Sequence, residues 1–220
     1  NRIEGTSYYL EAVAKYPAYY HGDMTYYKSG EDAFVDILDQ LKQAKKYILV
    51  EYFIIAHGKM WNEILKILIE KAMQGVKVRI IYDDFGCMVT LPPDYERYLE
   101  SLHENIKCMT FNSIVPVFAV RMNNRDHRKI LVIDGKVAFT GGFNLADEYI
   151  NEKVKYGHWK DTAVMIKGPA ARSFALMFLQ MWCIKPGTED YDKWLSLPEY
   201  EAEDANGYVM PYGDTPLDKY

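Results

Sequence analysis

Residues 47–55 read Tyr-Ile-Leu-Val-Glu-Tyr-Phe-Ile-Ile, residues 61–73 read Trp-Asn-Glu-Ile-Leu-Lys-Ile-Leu-Ile-Glu-Lys-Ala-Met, and residues 76–82 read Val-Lys-Val-Arg-Ile-Ile-Tyr. The first run is short, apolar and rich in β-branched residues, so it predicts a buried strand, Tyr47 to Ile55. In the second, Ile64, Leu65, Leu68 and Ile69 recur at three- and four-residue steps and form one helix face, with Gly75 as its stop. The third predicts a strand from Val76 to Tyr82, with Asp83 and Asp84 at its C-terminal end. Strands alternating with helices at this spacing imply parallel pairing in a sheet covered on both faces.

The same alternation extends outward. Upstream, Phe34, Ile37, Leu38 and Leu41 predict an amphipathic helix over Glu31 to Ala44, preceded by a strand from Met24 to Lys28 and a short helix over residues 7–16. Downstream, Pro92 and Pro93 lead into a helix over Tyr95 to His103 and a strand over Ile106 to Phe111, followed by a loop rich in Asn and Arg. Lys129 to Ile133 and Lys136 to Thr140 then form a predicted hairpin, joined by the favoured turn pair Asp134-Gly135. A helix over Leu145 to Ile150, a strand over Thr162 to Ile166 and a helix over Ala170 to Trp182 complete the pattern. The expected fold is a layered α/β/α arrangement with a mixed, largely parallel central sheet. Residues 1–185 are expected to form one domain and residues 186–220 an acidic linker.

Composition limits the function classes. A chain of 220 residues has room for a sizeable core without covalent staples. Three cysteines, Cys87, Cys108 and Cys183, have neither metal-site spacing nor the density of a secreted scaffold, and fit a reducing compartment. The most apolar stretch, Tyr47 to Ala56, is about half a membrane span and contains Glu51. The formal charge of −5 divides into +2 for residues 1–185 and −7 for residues 186–220, which is not the basic field of a non-specific nucleic-acid binder. Arg121, Arg125, Arg128 and Lys129 are clustered with only Asp126 opposing them, a pattern that ordinarily marks a solvated face. The chain opens on Asn1 rather than Met, which suggests a piece of a longer polypeptide.

One constellation carries chemistry: His127-Arg-Lys129-Ile-Leu-Val-Ile-Asp134, then Gly141-Gly142-Phe-Asn144. Strand positions two apart share a face, so His127 and Lys129 project together, a neutral nucleophile beside a fixed cation. An imidazole can form a covalent phosphoryl intermediate, while an ammonium and an amide stabilise the charge on the non-bridging oxygens. Glycines let backbone amides approach an anion closely. Of the other histidines, His21, His103 and His158 do not form a metal set, and no cofactor site is visible.

This pattern resembles the phospholipase D superfamily, whose motif is His-x-Lys-x4-Asp followed by Gly-Gly or Gly-Ser, one residue, and Asn. Glu51-Tyr52-Phe53, Gly75-Val76, Asp83-Asp84-x-Gly86, Asn124-Arg125-x-His127 and Tyr156-Gly157-x-Trp159-Lys160-Asp161 are similar to its bacterial cardiolipin synthase branch. Gly207-Tyr208-Val209 and Gly213-Asp214-x-Pro216-Leu217-Asp218 extend that similarity into the tail. Another His-x-Lys, His57-Gly58-Lys59, has Ile64 where the motif needs Asp, so it is a chance match.

The resemblance implies an enzyme with two such motifs meeting at one active site, of which this chain holds the first. It implies transfer of phosphatidyl from one phosphatidylglycerol to another, giving cardiolipin and glycerol without a cofactor, at the cytoplasmic side of a bacterial cell membrane. Membrane attachment would come through segments outside this chain, and the partner would be a second phospholipase D half or a homodimer mate, with no nucleic acid expected. His127 would be nucleophile or general acid, with Lys129, Gly141, Gly142 and Asn144 binding phosphate oxygens. Asp134 completes the motif, yet it sits in a predicted turn where Asp is favoured for backbone reasons alone. Asp161 would accept the other ring N–H of His127. Glu51, inside an apolar strand, requires a partner such as an Arg or Lys near the site. Asp83 and Asp84 would either face a ligand or cap the next helix. Two alternatives stay open: a nuclease of the same superfamily working as a homodimer, and an inert half that only binds phosphate.

Overall fold

Residues 2–13, 15–20, 22–111, 125–184, 194 and 208–213 are described by the computed structural model of the chain. In order they form α1 (Arg2–Tyr8) with a π-helical turn over Tyr9–Val13, β1 (Asp23–Tyr27), α2 (Gly30–Lys42), β2 (Tyr47–Tyr52), α3 (Lys59–Met73), β3 (Lys77–Asp83), the single turn α4 (Asp84–Cys87), α5 (Tyr95–Leu102) and β4 (Ile106–Phe111). Then come β5 (Lys129–Ile133), β6 (Val137–Gly141), a 3-10 turn over Asp147–Ile150, β7 (Ala163–Lys167) and α6 (Ala171–Trp182). Among the described residues no helix is long and apolar enough to cross a membrane.

The seven strands lie in the order β1-β7-β6-β5-β2-β3-β4. β2 pairs with β3 and β3 with β4 in parallel, as the spacing of residues 47–111 predicts. The other four pairings are antiparallel, including β2 with β5, which joins the two halves of the sheet. The sheet is therefore mixed, but its parallel share is smaller than expected. Among the described residues, helical crossovers join neighbouring strands only from β2 to β3 and from β3 to β4, while β5 and β6 are a hairpin, and hairpins are antiparallel by construction.

All six residues of β2 are buried, and strand alternation divides them between two cores. Ile48, Val50 and Tyr52 pack with Phe34, Ile37, Trp61 and Leu68 of α2 and α3, whereas Tyr47 and Leu49 pack with Phe174, Phe178 and Trp182 of α6. That makes three layers, helices on each face of one sheet. Each large side chain so buried contributes about 1.5–3 kcal/mol. The Ser29 hydroxyl caps α2 by accepting from the Asp32 amide at 3.2 Å, with Glu31 and Asp32 in the first turn favoured by the helix dipole. The N-terminus of α3 has no side-chain cap of its own, and Asp147 supplies one from across the fold, accepting from the amides of Lys59 (3.0 Å) and Met60 (2.9 Å).

Boundaries follow the sequence reading within a few residues, except at the N-terminus, where the helix expected over 7–16 begins earlier and ends as a π turn. The segment expected as a helix over Leu145 to Ile150 is a 3-10 turn. Asp134 (φ 55) and Gly135 (φ 66) are both left-handed, as the predicted turn requires. However, Ile133 pairs with Val137, which leaves Lys136 as an extra residue between the strands.

Residues 112–124, the Asn- and Arg-rich loop, lie outside the described part, as does most of the expected linker over 186–220. The described pieces of that tail lie against the body. Trp194 is buried, accepts from the Tyr47 hydroxyl through its carbonyl at 2.8 Å, and has the Arg79 guanidinium 5.1 Å from its ring centroid. Val209 and Tyr19 exchange backbone hydrogen bonds of 2.8 and 2.9 Å, and the Tyr16 hydroxyl donates to the Gly213 carbonyl.

Candidate active site

Antiparallel pairing sets Lys129 opposite Tyr52, so the start of β5 meets the C-terminal ends of β2 and β3. His127 lies just before the strand. The Lys129 ammonium donates to the His127 carbonyl at 2.7 Å and lies 3.0 Å from both ring nitrogens. Phe53 completes the contact: its ring is 4.8 Å from the imidazole and 5.6 Å from the Lys129 nitrogen, centroid measures in both cases.

Beside this pair opens a cavity of about 280 Å3. His127 to Ile130 wall it from one side, Thr140, Gly141 and Gly142 from another, Phe174 and Met177 from α6, and Tyr212 and Gly213 from the tail. A small polar group seated there touches the imidazole and the ammonium together. Burial, then the neighbouring Lys129 charge, hold the His127 pKa below its ordinary 6.5, so the ring is neutral at pH 7. Burial also brings Lys129 from 10.5 down to about 8, with Asp126 and Asp161 opposing the fall. Lys129 is therefore cationic at pH 7 and loses its charge as pH rises through about 8. Binding of sulfate, whose charge is constant across this range, is expected to weaken at least about tenfold between pH 7 and pH 9.5 by calorimetry. Affinity that stays flat over that interval would exclude Lys129 as the anion ligand.

The glycines act differently from the expectation. The Gly142 amide donates to the Thr162 carbonyl at 3.0 Å, so it is not turned to the cavity. A Cβ at Gly141 would stand 2.4 Å from the Thr162 carbonyl oxygen, and one at Gly142 would stand 2.1 Å from Asp161 Oδ1. These positions are glycine because the 161–163 backbone and the Asp161 carboxylate occupy the space. A Gly142→Ala change is expected to cost about 2 kcal/mol in urea unfolding by displacing Asp161.

Asp161 is near the site but is not hydrogen-bonded to His127. Its carboxylate accepts from the Thr162 amide (2.8 Å) and the Trp159 indole (3.4 Å), and its charge acts on Lys129. Asn144 is buried behind the site, where its Oδ1 accepts from the Ile54 amide (3.0 Å) and its Nδ2 donates to the Tyr149 hydroxyl (2.9 Å). It ties the end of β2 to the loop after β6, and one Nδ2 hydrogen remains.

Asp134 does not join the site. It stands at the opposite end of β5, roughly 20 Å away at ~3.3 Å per residue. Its carboxylate accepts from the amides of Lys45 (2.8 Å), Lys46 (2.7 Å) and Tyr47 (2.9 Å), fastening the turn to the start of β2.

Glu51, fully buried, meets Arg128, whose Nε and Nη2 lie 2.8 and 2.5 Å from Glu51 Oε1. Arg128 also donates to the Met177 carbonyl at 3.2 Å. Arg125 and Arg128 each keep only 14% of their side chains exposed and Lys129 is buried, so the described part of the basic cluster is not a solvated face. Asp83, fully buried, both caps α4 and reaches the site segment: Oδ1 accepts from the Gly86 amide at 3.0 Å and Oδ2 from the Asp126 amide at 3.1 Å. Asp126, the wall residues of α6, and Tyr212 with Gly213 escaped the sequence reading as site residues. For Asp126 there was a signal, since it is the single acid within the basic cluster.

Comparison with known proteins now bears on this geometry. Residues 37–182 match the family described as "Cardiolipin synthase, PLD-like domain". A cardiolipin synthase of Alkalihalophilus pseudofirmus is 32% identical over 93% of this chain and 40% of its own length, and one of Geobacillus thermodenitrificans 35% identical over 87% and 38%. An uncharacterized protein of Streptococcus mutans is 47% identical over 99% of this chain and 46% of its own length. The chain thus spans less than half the length of these relatives. Among solved structures, phosphatidylserine synthase of Haemophilus influenzae aligns with a TM-score of 0.62 at 14% identity, covering 96% of this chain and 51% of that one. Nuc of Salmonella typhimurium, a phospholipase D family member, aligns at 0.53 with 22% identity, covering 73% and 94%. At those identities the likeness is one of fold. With two thirds of its residues inside the family match and cardiolipin synthases among its relatives, the chain belongs to the phospholipase D-like domain family of cardiolipin synthases.

Proposed function

We propose that this chain is one half of a phosphatidyltransferase that makes cardiolipin from two phosphatidylglycerol molecules. The carrying observation is a neutral imidazole held against a lysine ammonium at the wall of a cavity large enough for a phosphodiester. A ring nitrogen of His127 attacks phosphorus, the P–N bond forms, and the P–O bond to glycerol breaks as an acid on the facing half protonates the leaving oxygen. The free hydroxyl of a second phosphatidylglycerol then attacks the phosphohistidine while the facing group, now a base, takes its proton, the P–O bond forms, the P–N bond breaks, and cardiolipin leaves with both halves restored. Lys129 offsets the charge on the non-bridging oxygens in both steps. Phe53 and Asn144 hold the pair and the strand end in place. The facing half is a second phospholipase D unit, in the same polypeptide or in a second copy, and attachment to the bacterial membrane comes through segments outside this chain.

The test is intact mass after incubation with phosphatidylglycerol micelles, peptide mapping of any adduct, and lipid extraction from the same samples. A phosphatidyl adduct on the peptide containing His127, together with cardiolipin, is expected. Cardiolipin without that adduct assigns His127 the role of general acid instead. Neither adduct nor product, in this chain and in one extended to the length of its relatives, overturns the proposal. Cleavage of a nucleic-acid diester under the same conditions would favour the homodimeric nuclease.

A further inference from the structure

The residue before His127 has no part in the mechanism above, yet it is more constrained than His127 itself. Asp126 is 1% exposed and Glu51 0%, while Arg128 is the guanidinium in contact with both. Asp126 Oδ1 accepts from the Arg128 amide at 3.3 Å and from Arg128 Nε at 3.4 Å, and Glu51 Oε1 takes the shorter contacts to the same guanidinium. One oxygen of each acid is then left over: Glu51 Oε2 and Asp126 Oδ2 are both buried with no hydrogen-bond partner. Both acids thus sit against one atom, Arg128 Nε, Glu51 Oε1 at 2.8 Å and Asp126 Oδ1 at 3.4 Å.

Two ionised carboxylates on one guanidinium would leave a net negative charge in a dry setting, with one buried, unpartnered acceptor on each acid. Both problems vanish with one added proton, because the cluster becomes neutral and the two orphaned oxygens become donor and acceptor. We propose that Glu51 and Asp126 share a single proton in an acid–carboxylate hydrogen bond, and that this bond, clamped by Arg128, makes both of them positioning residues for His127. Asp126 is then gripped from two strands, by Asp83 through its amide and by Glu51 through its side chain, which fixes the backbone from which the imidazole projects. The burial of Glu51 and the nearby Asp126, which together push the Glu51 pKa well above its ordinary value, agree with this assignment. The titratable and charged groups facing the pair are Arg128 from its own segment, Asp83 from β3, His127 and Lys129 at the start of β5, and Arg125, which contacts Asp83 at 3.5 Å. The proposal builds on His127 as the reactive group, but its test does not require turnover.

Infrared spectroscopy of the whole chain in D2O at pH 7 is expected to show the carbonyl band of one protonated carboxylic acid. It should be absent in Glu51→Gln, whose amide still donates to Asp126, and absent in Asp126→Asn, where Glu51 ionises against Arg128. Asp126 attracts the imidazolium of His127, so Asp126→Asn is expected to lower the His127 titration midpoint, read by NMR, whereas Glu51→Gln leaves it in place. A band that survives in Glu51→Gln, or a wild-type spectrum with none, overturns the shared proton. Equal His127 midpoints in wild type and Asp126→Asn overturn the positioning role.

Discussion

Replacing Arg128 with methionine is expected to lower the unfolding free energy by about 3–5 kcal/mol, measured in urea at pH 7. Methionine matches much of the apolar stem, so the loss isolates the guanidinium. Without it Glu51 and Asp126 remain at 0% and 1% exposure with their ion-pair partner removed, and the Met177 carbonyl loses a donor. The pH dependence has a definite sign. An acid whose pKa in the folded chain exceeds its unfolded value is worth most to stability at low pH, and that contribution declines as pH rises above about 4.5. Burial already places Glu51 in that class, and removing Arg128 raises it further, so the deficit of Arg128→Met should be larger at pH 8 than at pH 5. Adding Glu51→Gln and Asp126→Asn to the same chain should recover most of the loss, because a neutral amide pair has no charge to bury. A small, pH-independent deficit would mean that the cluster is solvated in solution.

Much of the fold was legible because its central strands are extreme. β2 is apolar enough to be buried on both faces, and the 3.6-residue periodicities of α2, α3 and α6 are unbroken, so nearly every element boundary fell within two or three residues. Pairing direction was less legible. Helix-and-strand alternation speaks for the parallel half of the sheet, but the partner of β5 is β2, a contact between residues some eighty positions apart that no local pattern encodes. The bounds of the N-terminal helix and the contacts of the described tail residues were illegible for a related reason. Val209 pairs with Tyr19, and Gly213 meets Tyr16, so their order depends on each other and not on periodicity.

At the site, spacing found the motif residues that touch the cavity but not its walls from α6 and the tail. His127 and Lys129 come together, and Gly141 and Gly142 line the same space. Asn144 and Gly142 carry the phosphate-binding pattern, yet their polar groups are engaged mainly with the Ile54 amide, the Tyr149 hydroxyl and the Thr162 carbonyl. A motif records which residue types coexist, and cannot separate a ligand contact from a hydrogen bond that shapes the wall. Glu51 was recoverable because a lone carboxylate in an apolar strand demands a cation. Asp126 was not, since an acid beside three cations looks already satisfied until the structure shows it buried on the same guanidinium as Glu51.

His127→Ala and Asp134→Ala should separate completely, although both residues belong to one motif. His127 is exposed, its ring rests on Phe53 and Lys129, and its removal is expected to change stability by no more than about 0.5 kcal/mol. Under the proposed function, phosphatidyl transfer should fall at least about 10³-fold, because among the described residues no other group is placed to attack phosphorus or move the proton beside Lys129. Asp134→Ala should behave in the opposite way. Three amides, of Lys45, Lys46 and Tyr47, lose a charged acceptor, and alanine must adopt the left-handed backbone that Asp tolerates better, so a loss of about 3 kcal/mol is expected. Asp134→Asn keeps one oxygen and the backbone tolerance, and should lose about half as much. Per folded molecule, transfer in both Asp134 variants should stay within a few-fold of wild type, since the whole of β5 separates that turn from the imidazole. Activity lost in proportion to the folded fraction is the expected pattern for Asp134. A rate lost while the chain is fully folded would return that carboxylate to the chemistry, through a facing half that brings another copy of the motif within reach.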